Sequence, residues 1–119
     1  MYKKTLKFTD YDGNEVEKEY YFNLNKAELL ELSAEHPEGL EAYWQKLIST
    51  QATKEVFAEI KTLIVMSVGK KSADGLRFIK NDEITHEFVE SEAYPTLLCE
   101  LLVNKDSAEA FFNNIAPKA

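Results

Sequence analysis

The first 24 residues alternate between apolar and polar side chains, which is the period of a β-strand with one buried face. Two such runs are separated at residues 12–14 by Asp-Gly-Asn, residue types that favour a tight turn. The pattern predicts a β-hairpin with Glu15, Glu17 and Glu19 on its solvated face. Two strands alone are marginally stable in water, so the apolar face must pack on later segments or on another copy of the chain.

From residue 25 onward the apolar positions recur every three or four residues, which is the period of an amphipathic helix. Asn25 and Glu28 match a capping box at the start of the first helix. Asp106 and Glu109 match a second one, opening a last helix that continues until Pro117. The spacing therefore predicts five or six short helices packed into one body.

The third helical segment, residues 53–69, is apolar around much of its circumference. Its predicted inner face contains Val56, Phe57, Ile60, Leu63, Ile64 and Val68, while Val65 and Met66 add apolar surface on the far side. We expect it to be the central helix. The whole pattern predicts one domain over residues 1–119 with an α+β, mainly α fold: a hairpin at 1–24 and a helical body at 25–119.

Residues 69–72, Gly-Lys-Lys-Ser, have the residue types that end a phosphate-binding loop. Such a loop also needs a glycine five positions earlier, where this chain has Ile64. Because the preceding pattern is helical, we interpret Gly69 as a left-handed C-terminal cap followed by a turn at residues 72–75. The lysines would then lie at the negative end of a helix dipole, which is the wrong polarity for phosphate.

Residues 76–80, Leu-Arg-Phe-Ile-Lys, form a short extended run that the helical patterns do not include. Two interpretations are open, an added strand or a docking loop. Arginine and aromatic side chains are enriched at interface centres, and Arg77 is the only arginine of the chain. Arg77, Phe78 and Ile79 are therefore candidate partner-binding residues. The alternative is that Phe78 and Ile79 fill the core and Arg77 forms a surface ion pair.

Charge and hydropathy exclude two classes of ligand. Fourteen Lys plus Arg against 21 Asp plus Glu give a net charge of −7, which repels a phosphate backbone, so we expect no nucleic-acid partner. No apolar run approaches the roughly 20 residues that a membrane-spanning helix needs, and the N-terminus lacks an apolar signal core. We therefore expect no membrane contact and a cytosolic location.

Few residues offer chemistry. His36, His86 and Cys99 have no spacing that would bring three or four zinc ligands together. Cys99 lies in a leucine-rich segment, and we interpret it as a packing residue. Acidic pairs along the helices are typical of solvated faces. We expect no enzyme, no cofactor and no metal site; a small enzyme would require a deep pocket with perturbed pKa values.

Three segments carry a family resemblance. Residues 69–80 read GKKSADGLRFIK, residues 91–94 read SEAY with Leu97 three residues later, and residues 110–117 read AFFNNIAP. Together they resemble the tail assembly chaperones of long-tailed, siphovirus-type bacteriophages.

The resemblance implies a protein of the host cytoplasm that binds the tape measure protein and keeps it soluble until tail tube subunits polymerise around it. Such a protein is absent from the mature virion. The resemblance also implies a longer product of ribosomal frameshifting that recruits tail tube protein. A long helical partner with apolar stripes would aggregate unless those stripes were covered by a chaperone. We expect Tyr94, Phe111 and Phe112 to be partly exposed in the groove that covers them.

Two further hypotheses stay open at this point. One is self-association through an open edge of the hairpin. The other is a different function, that of a small acidic adaptor or inhibitor acting on a host protein, for example as a nucleic-acid mimic. Mimicry would require a continuous stripe of carboxylates, whereas apolar grooves would favour the chaperone.

Overall fold

The structure is a computed structural model that describes residues 1–49 and 54–116. In chain order its elements are β1 (Tyr2–Thr9), β2 (Glu15–Phe22), α1 (Lys26–Glu35), α2 (Leu40–Ser49), α3 (Lys54–Ser67), β3 (Val68–Lys71), β4 (Phe78–Ile79), α4 (Asp82–Val89), α5 (Ala93–Val103) and α6 (Lys105–Ile115). Of the described residues, 57% are helical and 20% lie in strands, which confirms the α+β, mainly α fold. Pro117 lies outside the described residues.

The predicted hairpin is present, with β1 and β2 antiparallel and in register along their whole length. Its turn is held by Asp10, whose Oδ1 accepts hydrogen bonds from the backbone N–H groups of Asp12 and Asn14. Gly13 adopts φ +85° there, a left-handed conformation that glycine reaches without strain. The three glutamates of β2 are exposed as predicted, and Leu6 is buried on the opposite face.

The sheet has four strands rather than two, in the antiparallel order β1-β2-β3-β4. The prediction that Gly69 forms a left-handed helix cap is wrong, because this residue lies in β3 opposite Tyr21 and has no positive φ. A Cβ at this position would come within 2.5 Å of the Phe78 ring and 2.7 Å of the Ile79 carbonyl oxygen. Glycine is therefore required here by close packing.

Asparagine caps the starts of α1, α4 and α6. The capping box of α1 is confirmed, since Asn25 Oδ1 accepts from the Glu28 N–H at 2.8 Å and Glu28 Oε1 accepts from the Asn25 N–H at 2.9 Å. The box predicted for the last helix is wrong: Asn104 is the cap of α6 and accepts from the Ser107 N–H at 3.1 Å. Because the helix already begins at Lys105, the residue in position to accept from a free N–H of its first turn is Asn104 and not Asp106.

The core lies between the inner face of the sheet and the helices, and aromatic rings dominate it. Phe22 contacts both Phe88 and Phe111 edge to face, with ring centroids 5.6 Å apart in each pair. Phe112 continues the cluster by stacking on Trp44, with centroids 5.1 Å apart and planes 3° from parallel. Such ring pairs add to the stability already supplied by burial of their apolar area.

Two helix positions correct the sequence-based predictions. Phe57 was expected on the inner face of α3 but is 41% exposed, because it lies about 100° around the helix from Val56, at the margin of the buried stripe. Cys99 was interpreted as a packing residue but is exposed. Leu97 and Leu101 point inward from α5, and the residue midway between them faces solvent.

Candidate functional site

Arg77, one of the candidate partner-binding residues, lies on a structured loop between β3 and β4. Ser72 Oγ donates to Asp74 Oδ1 at 2.6 Å, and the same carboxylate accepts from the Leu76 N–H. These bonds lower the pKa of Asp74, with the serine hydroxyl as the larger cause. The loop presents Leu76, 84% exposed, beside the exposed Arg77.

The open choice between an added strand and a docking loop is resolved for Phe78 and Ile79, which form β4 against Lys71 and Lys70 of β3. Both side chains are half-buried. The Phe78 ring covers Gly69, so this part of the ring is committed to the sheet. Partner binding by Arg77, Phe78 and Ile79 stays a prediction.

The aromatic candidates of α5 and α6 differ from one another. Phe111 and Phe112 are completely buried, so the expectation that they are partly exposed is wrong. Their spacing serves the core, where Phe112 stacks on Trp44. Tyr94 is half-buried with its ring edge toward Phe88, and burial raises the pKa of its hydroxyl. None of the six candidates lines either of the two clefts that follow.

One cleft, the acidic groove, lies between α1 and α3 and has a volume of about 500 Å³. Its described lining residues are Glu31, Leu32, Glu35, His36, Tyr43, Glu59, Thr62, Leu63 and Met66. Buried Leu32 and Leu63 form the apolar floor together with half-buried Met66. The three glutamates are exposed at its rim. The groove therefore combines an apolar base with negative walls.

Tyr43 closes one side of the acidic groove. The His36 ring stacks on it with centroids 3.7 Å apart, and His36 Nδ1 lies 3.3 Å from Glu38 Oε1. The pKa of Tyr43 is raised, first by burial and then by the negative charges of Glu59, Glu35 and Glu38. A raised phenol pKa is the response expected when carboxylates surround a partly desolvated hydroxyl.

The second cleft, the lysine cleft, lies between β2, β3 and α4 and is smaller, about 220 Å³. It exists because β2 pairs with β3 only through Tyr21 and Phe22. Lys18 and Lys70 border the cleft on either side of Glu87, at 3.3 and 3.6 Å from its carboxylate oxygens. The pKa of Glu87 is lowered mainly by its hydrogen bond with Lys18 and then by the charge of Lys70. The carboxylate of Glu87 is thus paired with both ammonium groups.

Lys80 fixes the walls of the acidic groove. Its Nζ donates to Glu28 Oε1 on the first turn of α1, and to the backbone carbonyl oxygens of Asn23 and Met66, both at 3.0 Å. Met66 lies in the last turn of α3, a helix end without a basic residue of its own. One ammonium group therefore connects the two helices that form the groove, and it stabilises the α3 carbonyl end.

The sequence analysis did not identify the acidic groove. Glu31 and Glu35 resemble the solvated face of an amphipathic helix when α1 is considered alone. The available signal was the apolar side chain of Met66, about 100° around α3 from the centre of its buried stripe. Only the placement of α1 across from α3 brings it between the glutamates.

Metal binding and membrane spanning have no support in the described part of the chain. Within residues 1–49 and 54–116, no group of three or more His, Cys, Asp or Glu side chains is placed to hold a metal ion. Among the helices in the described part of the chain, none has the length and apolar character needed to cross a membrane.

The structure is thus a small α+β domain with open, apolar-based clefts between its elements. Comparison with protein families identifies its class: a model of a phage tail assembly chaperone family matches residues 1–119, the whole chain. The chain belongs to this family of phage tail assembly chaperones. No match was found among curated proteins or among solved structures.

Proposed function

We propose that this chaperone binds the tape measure protein of its phage and keeps it soluble until tail tube subunits polymerise around it. The family match over residues 1–119 carries the proposal. The half-buried Met66 in the acidic groove supports it, because a chaperone for a long helical chain needs accessible apolar surface. The net charge of −7 would help to keep the coated partner in solution.

The proposed action is binding and release, without catalysis. Many copies along one long partner gain avidity from local concentration, so each contact can stay weak enough for later displacement. We place this action in the host cytoplasm, with the chaperone displaced before the virion is complete. A longer frameshift product would bring tail tube protein to the same complex.

Charge mimicry of nucleic acid has no support on the hairpin. Its outer face pairs opposite charges across the two strands, because Lys7 of β1 lies opposite Glu17 of β2 and Lys3 Nζ lies 3.7 Å from Glu19 Oε2. A mimic needs a row of unbalanced negative charges, and these lysines offset the charge of the glutamates beside them. We therefore develop the chaperone function alone.

Co-expression tests the proposed function. The phage's tape measure protein is produced with and without this chain, and its soluble fraction is measured after centrifugation. We expect a clear gain in soluble tape measure protein and co-elution of the two chains on gel filtration. Equal solubility with and without the chaperone would refute the function.

A further inference from the structure

The acidic groove has an unbalanced charge. Glu31, Glu35 and Glu59 surround it, and of its described lining residues none is a lysine or an arginine. His36, the one basic side chain among them, is stacked on Tyr43 and already lies beside Glu38. In the lysine cleft, by contrast, the basic side chains have Glu87 between them. The acidic groove therefore offers negative charge that an incoming partner can pair.

The negative charge at the rim of the groove determines which kind of partner segment can bind there. An apolar or acidic segment lying on Met66 would remove water from the rim carboxylates without giving them a cationic partner, which costs free energy. A lysine or arginine side chain avoids this cost. Its aliphatic stem can lie along the apolar floor while its charged end reaches the rim. Met66 adapts readily to side chains of different shape.

The spacing of the carboxylates favours a helix as the occupant. Glu31 and Glu35 are four residues apart on α1, so they lie on one face with a rise of about 6 Å between them. Cations four residues apart on a partner helix have the same spacing and can meet both carboxylates. Glu59 on α3 adds a carboxylate to the other wall, where it also accepts a hydrogen bond from the Tyr43 hydroxyl.

We propose that the acidic groove binds an amphipathic helix whose apolar stripe is bordered by lysine or arginine residues. This rests on the proposed function and deepens it, because it names the chemistry of the tape measure segment that is recognised. Apolar contact with the floor holds the helix, and the basic residues discriminate it from acidic or neutral helices.

Methionine labelling tests this directly, since the chain contains two methionines. Met66 lines the groove, and Met1 precedes β1 and serves as an internal control. Two synthetic amphipathic helices of about 20 residues are titrated into the chain labelled at its methionine methyl groups. They share one apolar stripe, bordered by lysines in one peptide and by glutamates in the other. We expect the lysine peptide to shift the Met66 signal and leave Met1 unchanged, and the glutamate peptide to shift neither.

A matched pair of variants assigns the charge effect to this groove. E35K/E59K reverses two rim charges, whereas E15K/E17K makes the same change in net charge on the outer face of the hairpin. We expect E35K/E59K to bind the lysine peptide at least about tenfold more weakly, and E15K/E17K to stay within about twofold of the wild type. Equal binding of the two peptides, a shift confined to Met1, or wild-type affinity in E35K/E59K would overturn the proposal.

The same variants separate this inference from the proposed function. If the wild type leaves the tape measure protein insoluble, the proposed function fails, and the peptide titration still decides whether the groove recognises basic helices. If the wild type and E35K/E59K solubilise it equally well, the function stands and the groove proposal is refuted. Circular dichroism of each variant verifies that it is folded.

Discussion

The aromatic core and the acidic groove use similar apolar side chains in opposite ways. In the core, Phe22, Phe111 and Phe112 are completely buried against other rings. In the groove, half-buried Met66 lies between exposed carboxylates. The comparison shows that buried aromatic rings hold the fold together. An accessible apolar side chain beside exposed negative charge is the feature on which we base the proposed binding site.

The largest expected effect comes from emptying the core. Phe112→Ala removes a ring stacked on Trp44 and leaves a cavity, so we expect a loss of about 3–5 kcal/mol in the free energy of unfolding. Urea denaturation followed by circular dichroism measures it. Phe57→Ala is the matched control and should cost less than about 1 kcal/mol, because Phe57 is already partly exposed. Equal losses would contradict the division between core and margin.

An intermediate effect is expected where the core and the groove meet. Lys80→Met keeps much of the side-chain length but removes three donated hydrogen bonds, and leaves the carboxylate of Glu28 and the carbonyl of Met66 without this partner. We expect a loss of about 1–3 kcal/mol in the free energy of unfolding. Lys105→Met on the exposed start of α6 is the control. If both variants matched the wild type in urea denaturation, Lys80 would not hold the groove together.

The smallest effect on stability is expected at the rim of the groove. Glu35 and Glu59 are exposed and the main loss is the hydrogen bond between Glu59 and the Tyr43 hydroxyl, so E35K/E59K should lower the free energy of unfolding by about 1 kcal/mol or less. The same urea denaturation measures this change. A loss comparable to that of Phe112→Ala would mean that the rim supports the fold, and the contrast between the two regions would disappear.

The periodic parts of this fold are readable from the sequence because their signals are local. The hairpin follows from the alternation of apolar and polar residues on both sides of an Asp-Gly-Asn turn. Asn25 and Glu28, three residues apart, form the capping box that indicates the start of α1. Strand β3 has no such local signal. It is four residues long, and its pairing with β2 involves Tyr21 and Phe22, which are distant in sequence.

The candidate site was harder to predict from the sequence, because the same helical spacing of apolar residues fits a buried core face and an exposed binding groove. Helical spacing at Phe111 and Phe112 fits a buried stripe and an exposed groove equally well, and only the positions of Trp44 and Phe22 in the fold decide. The acidic groove needs α1 and α3 on opposite sides, with Lys80 from a third segment bonded to both. No single segment contains that arrangement.

The outer strand of the sheet has a consequence for solubility at high local concentration. Among the described strands, β1 has a neighbour on one side only, so its other side presents unpaired backbone groups that could recruit a second molecule. An antiparallel encounter centred on Thr5 would set Lys3 of one molecule against Lys7 of the other. This repulsion between like charges disfavours edge-to-edge pairing of two molecules, and it would be most needed if many copies bind side by side on one partner, as proposed above.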